Sequence, residues 1–238
     1  MSNKSIMNDK KYLEYTYSDT AAPPSEYPKL FAKWLLDTVY NDVGTIGDFG
    51  CGRGDYLKEF QRLGFTPHGF DISPNISMLS DFNVKQIDFA NDKAPYTKEK
   101  FDFIFSKSVV EHLREPSTYL TAIHKSLKDG GKAVVMTPSW KHTHWGPFYI
   151  DHTHVTPFTR HSLKAALEMA EFKNVSVQYF YQLPILWKYS WLTPAVQLLA
   201  KLPLPFAPYN DVPWSVSNSA NKLIRFSKEV MLMAVVEK

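Results

Sequence analysis

The chain has 238 residues, a formal net charge of +3, one cysteine and 44% hydrophobic residues. That is enough chain for one α/β core with an insertion. The small, dispersed charge excludes a basic nucleic-acid tract or a polybasic membrane anchor, and the lone Cys51 excludes an intrachain disulfide and a multi-cysteine zinc site. The N-terminal stretch Met1–Lys11 is polar, with no apolar signal-peptide core, and no apolar run approaches the roughly 18–20 residues of a spanning helix. A cytoplasmic location is therefore expected.

Residues 1–27 read as irregular, broken by Ala21-Ala22-Pro23-Pro24. Apolar residues at helical spacing predict a helix over 28–40. Strand and helix then alternate: strand 45–49, helix 54–63, strand 66–71, helix 74–80, strand 83–87. A strand follows at 101–106, then a helix opened by Pro116 and ended by Gly130-Gly131, then a strand at 132–137. A loop over 138–158 leads to a helix at 160–171, with Thr159 as its cap, and a strand at 174–181. Residues 183–228 break the alternation with six prolines and three tryptophans, and Val230–Val236 closes the chain's pattern as a buried strand. The expected architecture is a three-layer α/β sandwich. It has a mostly parallel seven-stranded sheet, an antiparallel last strand and a cap insertion before it, all within one domain spanning 1–238.

The run Asp48-Phe49-Gly50-Cys51-Gly52-Arg53-Gly54 carries the most chemical information. A strand that turns into a helix over glycines lets a ligand touch bare backbone, and the helix start offers unpaired N–H groups. The spacing departs from the dinucleotide pattern G-x-G-x-x-G, because Asp55 stands at the third glycine position, where its carboxylate would face a pyrophosphate. Instead, D-x-G-x-G-x-G resembles motif I of the class I, Rossmann-like S-adenosylmethionine-dependent methyltransferases, whose cofactor carries an amino-acid end and a sulfonium. Asp71, twenty-one residues past Gly50 at the end of the second strand, suits the ribose hydroxyls, with a helix cap as its competing role. Ile72 beside it suits the adenine face. The resemblance also implies that Asp88 meets the adenine amino group, that Phe89 contacts the ring, and that Ser106 closes the cofactor set. An ordinary turn role for Asp88 stands open.

Two further segments bear on catalysis. Ser108-Val109-Val110-Glu111-His112-Leu113 follows the fourth strand and resembles ubiquinone-pathway O-methyltransferases. Some relatives carry E-x-x-E-H there and bind a divalent metal, but Ser108 replaces the first acid, so no metal is expected. The loop after the fifth strand holds His142, His144, Asp151, His152 and His154. Its segment Asp151–Thr159 is similar to glycan-associated bacterial and viral methyltransferases. A hydroxyl acceptor needs a general base, and histidine titrates nearest neutrality. The candidates are His152, favoured because its neighbours are rich in partners, and His112. Glu111, Asp151 and His154 are the alternative or supporting groups.

The resemblance implies an O-methyltransferase using S-adenosylmethionine. The expected acceptor is a sugar hydroxyl of a glycan or nucleotide-sugar pathway; the alternative is a quinone-like or other small aromatic hydroxyl. The intact glycine motif argues against a non-catalytic binding module. No nucleic-acid partner is expected. The aromatic residues Tyr179, Tyr181, Trp187, Trp191 and Trp214 read either as stacking surfaces, including for a lipid-linked acceptor met peripherally, or as core.

Overall fold

A computed structural model describes residues 25–91, 100–207 and 219–238. Seven strands form one sheet: β1 (Thr45–Phe49), β2 (Thr66–Asp71), β3 (Asn83–Gln86), β4 (Phe101–Lys107), β5 (Leu127–Pro138), β6 (Lys173–Phe180) and β7 (Met231–Glu237). Their order is β3-β2-β1-β4-β5-β7-β6. The first five strands pair in parallel, and β7 runs antiparallel between β5 and β6. The fold is the expected one, including the antiparallel last strand.

Side-chain alternation along the strands builds a core on each face. Ile46, Phe103, Phe105, Val134 and Met136 point to one side. There they meet α1 (Tyr27–Leu35) through Phe31 and Leu35, and α2 (Asp55–Arg62) through Phe60. Phe49, Ile104, Ala133 and Val135 point to the other. There they meet α3 (Pro116–Ser126) through Tyr119 and Ile123, and α5 (Arg160–Met169) through Leu163 and Leu167. Thr159 caps the start of α5, and Ser162 completes a reciprocal capping box with it.

Three elements differ from the sequence reading. The first helix turns π-helical over Leu36–Tyr40 and stops at Asn41, which is left-handed at φ 62°. The predicted helix at 74–80 is a short 3-10 turn, Pro74–Met78. Helix α3 ends at Ser126, before Gly130-Gly131, because buried Leu127 already pairs with Phe101 and starts β5.

The loop after β5 contains the short helix α4 (Trp140–Thr143) and a 3-10 turn, Pro147–Ile150. Between β6 and β7 lie α6 (Pro184–Lys188), α7 (Thr193–Ala200) and α8 (Ser219–Lys228). They share a small apolar cluster of Leu183, Leu186 and Val196 with Leu192 and Phe226. Trp187 anchors this excursion, packing on Phe31 at 5.4 Å and Phe180 at 5.5 Å between ring centroids, while Trp191 is 74% exposed. Trp214 lies outside the described residues. Among the described residues, no helix is long and apolar enough to cross a membrane.

Candidate active site

The glycine loop leaves β1 at its carboxyl end and enters α2 at Gly54. Gly50, Gly52 and Gly54 adopt φ of 92°, 52° and 76°, a region costly for residues with a Cβ. A Cβ on Gly50 would lie 2.2 Å from Val109 Cγ2, whereas one on Gly52 would meet nothing within 4 Å among the described residues. The first glycine thus lets the exit from β4 close against the loop. The second leaves room for a ligand against bare backbone.

Two acids face this loop. Asp71 Oδ2 accepts a hydrogen bond from Gly52 N at 2.8 Å, and Oδ1 accepts one from Ser73 N at 2.9 Å. One carboxylate therefore ties the end of β2 to the loop and retains lone pairs for a ligand hydroxyl. Burial holds the Asp71 carboxyl above its ordinary pKa, against the opposing pull of those N–H donors. Asp48 is 2% exposed, and its Oδ2 has no hydrogen-bond partner among the described residues. Burial drives its pKa well up, and the neighbouring charges of Asp71 and Asp55 add to this. A buried carboxylate oxygen without a donor suits a ligand that brings an ammonium group. Ile72 is exposed beside Asp71, as an adenine contact requires.

The other three expected cofactor contacts are placed differently. Asp88 accepts from Ala90 N, Asn91 N and Asn91 Nδ2 at 2.9, 3.1 and 2.9 Å, so its carboxylate braces a turn. The ring of Phe89 is buried between Phe49 at 5.4 Å and Tyr119 at 4.9 Å. The Ser106 hydroxyl is buried against Tyr119 Oη at 2.6 Å, in a chain that ends on Phe49 O. The side chains of Phe89 and Ser106 thus pack in the core beside the carboxyl edge of the sheet.

The second half of the site forms where β4 and β5 end. Ser108 sits at φ 59°, and the chain turns sharply into a 3-10 turn, Val110–His112. The loop from β5 is pinned on this turn. Val155 N and Thr156 N donate to Glu111 O at 2.9 and 3.0 Å, and Thr156 Oγ1 donates to Leu113 O at 2.6 Å. This brings His154 beside Glu111 and His112: Glu111 Oε1 is 4.0 Å from His154 Nε2, and the two imidazoles stand 4.7 Å apart.

Each of the three is held from behind. Glu111 is fully buried; its Oε2 accepts from Thr137 Oγ1 at 2.9 Å, and its Oε1 has no hydrogen-bond partner among the described residues. Burial pushes its pKa up to about 7. His154 Nδ1 lies 2.6 Å from Phe148 O, so that nitrogen carries the proton and Nε2 is a bare lone pair. His112 Nδ1 lies 2.8 Å from Thr153 Oγ1, whose own proton goes to Asp151 Oδ1 at 2.6 Å. His112 Nδ1 is then the donor, and its Nε2 is also bare. Burial lowers the pKa of both rings, that of His112 to about 4, with His154 adding to the shift at His112.

His154, rather than the favoured His152, therefore meets Glu111 and His112, and His152 is exposed. His142 and His144 do not join them: His142 bonds Ser139 and packs on Tyr179 at 4.8 Å, and His144 caps its own turn. Thr137 and Thr153 went unnoticed in the sequence. Thr137 has a signal there, a hydroxyl inside an apolar strand, whereas Thr153 has none.

A family model described as a methyltransferase domain matches residues 25–177. The chain belongs to the class I S-adenosylmethionine-dependent methyltransferases. A methyltransferase of this kind from Archaeoglobus fulgidus superposes with a TM-score of 0.62 at 21% identity, covering 94% of this chain and 99% of that one. A phosphoethanolamine N-methyltransferase from Haemonchus contortus, crystallised with S-adenosylhomocysteine, superposes with a TM-score of 0.59 at 15% identity, covering 96% of this chain and 59% of that one. These likenesses establish the fold.

Among sequence relatives, a ubiquinone biosynthesis O-methyltransferase of Cereibacter sphaeroides is 35% identical over 97 residues, 38% of this chain and 39% of the relative. The match thus spans about two fifths of that relative's length. One from a Ruegeria species is 30% identical over 173 residues, 61% of this chain and 66% of the relative. S-adenosylmethionine is the cofactor of this methyltransferase. The orphaned Asp48 oxygen, the open space at Gly52 and the exposed Ile72 fit its amino-acid end, backbone-contacting portion and adenine in turn.

Proposed function

We propose that this methyltransferase methylates a hydroxyl oxygen, and that the acceptor is a small aromatic hydroxyl of the quinone-precursor type. The observation that carries the oxygen acceptor is the pair of bare imidazole nitrogens, His112 Nε2 and His154 Nε2, gathered with Glu111 where the β4 exit closes on the glycine loop. The aromatic class rests on the relatives named for ubiquinone biosynthesis. A sugar hydroxyl is the first expectation from the sequence, and the relatives described above support the aromatic alternative instead. Chemistry favours the same choice: a phenol ionises near pKa ~10, far more readily than an aliphatic alcohol, and so suits a weak neutral base.

When bound, S-adenosylmethionine supplies an activated methyl group on its sulfonium. The chain's own residues hold and align. Asp71 fixes the loop and offers lone pairs to the ribose, and Asp48 faces the ammonium. His112 and His154 are kept neutral by burial, so an Nε2 is ready to take the acceptor's proton near pH 7. Asp151, through Thr153, fixes the tautomer of His112.

The test is S-adenosylhomocysteine release from a panel of catechols, phenols, nucleotide sugars and primary amines. Turnover is expected with the aromatic hydroxyls. Turnover confined to nucleotide sugars would refute the acceptor class, and turnover confined to amines would refute oxygen as the nucleophile.

A further inference from the structure

Strand β4 ends on a cation. Phe103 and Phe105 lie in the core beneath α1 and α2, and alternation along the strand puts Lys107 on that same side. Lys107 is the last residue of β4 and pairs with Met136 of β5. Directly after it the chain turns at Ser108 toward Glu111 and His112. This is the carboxyl edge, where α/β sheets meet their ligands. Lys107 is partly buried, and its ammonium makes no hydrogen bond and no ion pair with any described residue.

Two charged groups bear on this ammonium. Glu111, on the turn that follows β4, attracts it, and Arg225 of α8 repels it. Arg225 is itself tied to Glu229, Nε to Oε2 at 2.6 Å, and Glu229 Oε1 is buried with no hydrogen-bond partner among the described residues. Burial lowers the pKa of Lys107, and Arg225 pushes it the same way. A partly buried cation with no hydrogen-bond partner, beside a second cation, is costly, and an incoming anion removes the cost. S-adenosylmethionine carries a carboxylate, but its amino-acid end is read here at Asp48, whose neighbouring charges are Asp71 and Asp55. The groups around Lys107 belong instead to the turn that carries Glu111 and to the excursion between β6 and β7. An anion placed there is the acceptor's.

We propose that Lys107, with Arg225 behind it, is a specificity-determining anion subsite, and that the acceptor carries a carboxylate on the ring that bears its hydroxyl. This subsite rests on the proposed function and narrows its acceptor class to aromatic hydroxyls with an acid group. A carboxylate has two oxygens, enough to accept from the Lys107 ammonium and from an Arg225 N–H. Bare imidazole nitrogens then hold the hydroxyl while cations hold the acid. Two anchors of different chemistry fix which way round the ring lies, and so align the hydroxyl oxygen for transfer.

The first measurement needs no turnover. The full chain, saturated with S-adenosylhomocysteine, is titrated calorimetrically with 3,4-dihydroxybenzoate and with its uncharged amide. The acid should bind about 10–100-fold more tightly. Lys107→Met should abolish that preference, and Lys107→Arg should keep most of it. Lys222→Met, which alters an exposed lysine of α8, should behave as the parent does. Melting curves check that each variant is folded, and Lys107→Gln repeats the test should the methionine variant fail to fold. The second measurement is S-adenosylhomocysteine release from 3,4-dihydroxybenzoate and from catechol. The parent should favour the acid in kcat/KM by a similar factor, chiefly through KM. Lys107→Met should raise KM for the acid and leave catechol nearly unchanged.

Equal affinity for acid and amide in the parent, or a preference that survives Lys107→Met, would overturn the subsite. A fall in S-adenosylmethionine affinity in Lys107→Met would assign the lysine to the cofactor and overturn it too. If acid and catechol are methylated alike by the parent, the subsite fails and the aromatic hydroxyl stands. If the acid binds through Lys107 but no hydroxyl is methylated, the anion subsite stands and the hydroxyl reading fails.

Discussion

Glu111→Gln should make the protein more stable, and only on the alkaline side. Glu111 is fully buried, and burial raises its pKa from 4.5 to about 7 despite Thr137 and the charge of Lys107, which pull it down. The folded state therefore holds this proton more tightly than the unfolded chain does. Below about pH 4.5 both states are protonated, and the residue costs nothing. As pH rises toward 7 the unfolded chain ionises first, and stability falls. Above about 7 the folded carboxylate is ionised too, and the whole penalty is present. A shift of about 2.5 units at about 1.36 kcal/mol each gives a penalty of around 3 kcal/mol.

Glutamine keeps the shape and the acceptor for Thr137, and its amide needs only a small movement to donate to His154 Nε2, 4.0 Å from the present Oε1. Urea denaturation from pH 4.5 to 8.5 should show a gain that grows from near zero to about 2–3 kcal/mol. The variant should be nearly inactive, as expected of a site residue that sacrifices stability for function. A gain independent of pH, or none at pH 8, would refute the account of Glu111 as a buried carboxylate strained by the fold.

Asp71→Ala removes the acceptor of Gly52 N and the proposed ribose contact; S-adenosylmethionine affinity by calorimetry should drop at least about tenfold. His154→Ala should lower turnover by about 10²–10⁴ with cofactor binding nearly intact, while His152→Ala should cost less than about tenfold, as measured by S-adenosylhomocysteine release. Gly50→Ala drives a methyl into Val109 and should lower the melting temperature. Gly52→Ala meets no protein atom, so beyond a modest cost of about 1 kcal/mol for its left-handed backbone it should mainly weaken cofactor binding. Comparing the two by thermal shift, with and without cofactor, separates packing from ligand space.

The glycine loop and the two acids beside it are legible in the sequence because their signals are local. Glycines at 50, 52 and 54, an acid before them and an acid at the end of the next strand lie within two consecutive β–α units, and alternation shows which ends meet. The choice between His152 and His154 was not legible. It depends on two N–H groups of the β5 loop finding Glu111 O, a contact across more than forty residues that no spacing encodes. Phe89 and Ser106 show the same limit. Each stands next to a strand end, but whether its side chain faces ligand or core is decided by Phe49 and Tyr119. The π-helical end of the first helix has a related cause: its apolar positions continue the helical period, so the widened turn leaves the pattern nearly unchanged.

The placement of β7 bears on how the protein is made. Lys132 pairs with Glu237 across 105 positions (237 minus 132), and among the described residues β6 pairs with β7 alone. A ribosome releasing this chain therefore emits β1 to β5, which can assemble among themselves, while β5 keeps an open edge and β6 waits unpaired. Only when the final strand emerges can it slide between them and seal both. Late, long-range closure of this kind is slow and leaves an adhesive edge exposed in the nascent chain. Stalling just short of residue 231 should accordingly yield a species prone to self-association, whereas a chain carried past residue 237 by a flexible linker should close its sheet on the ribosome.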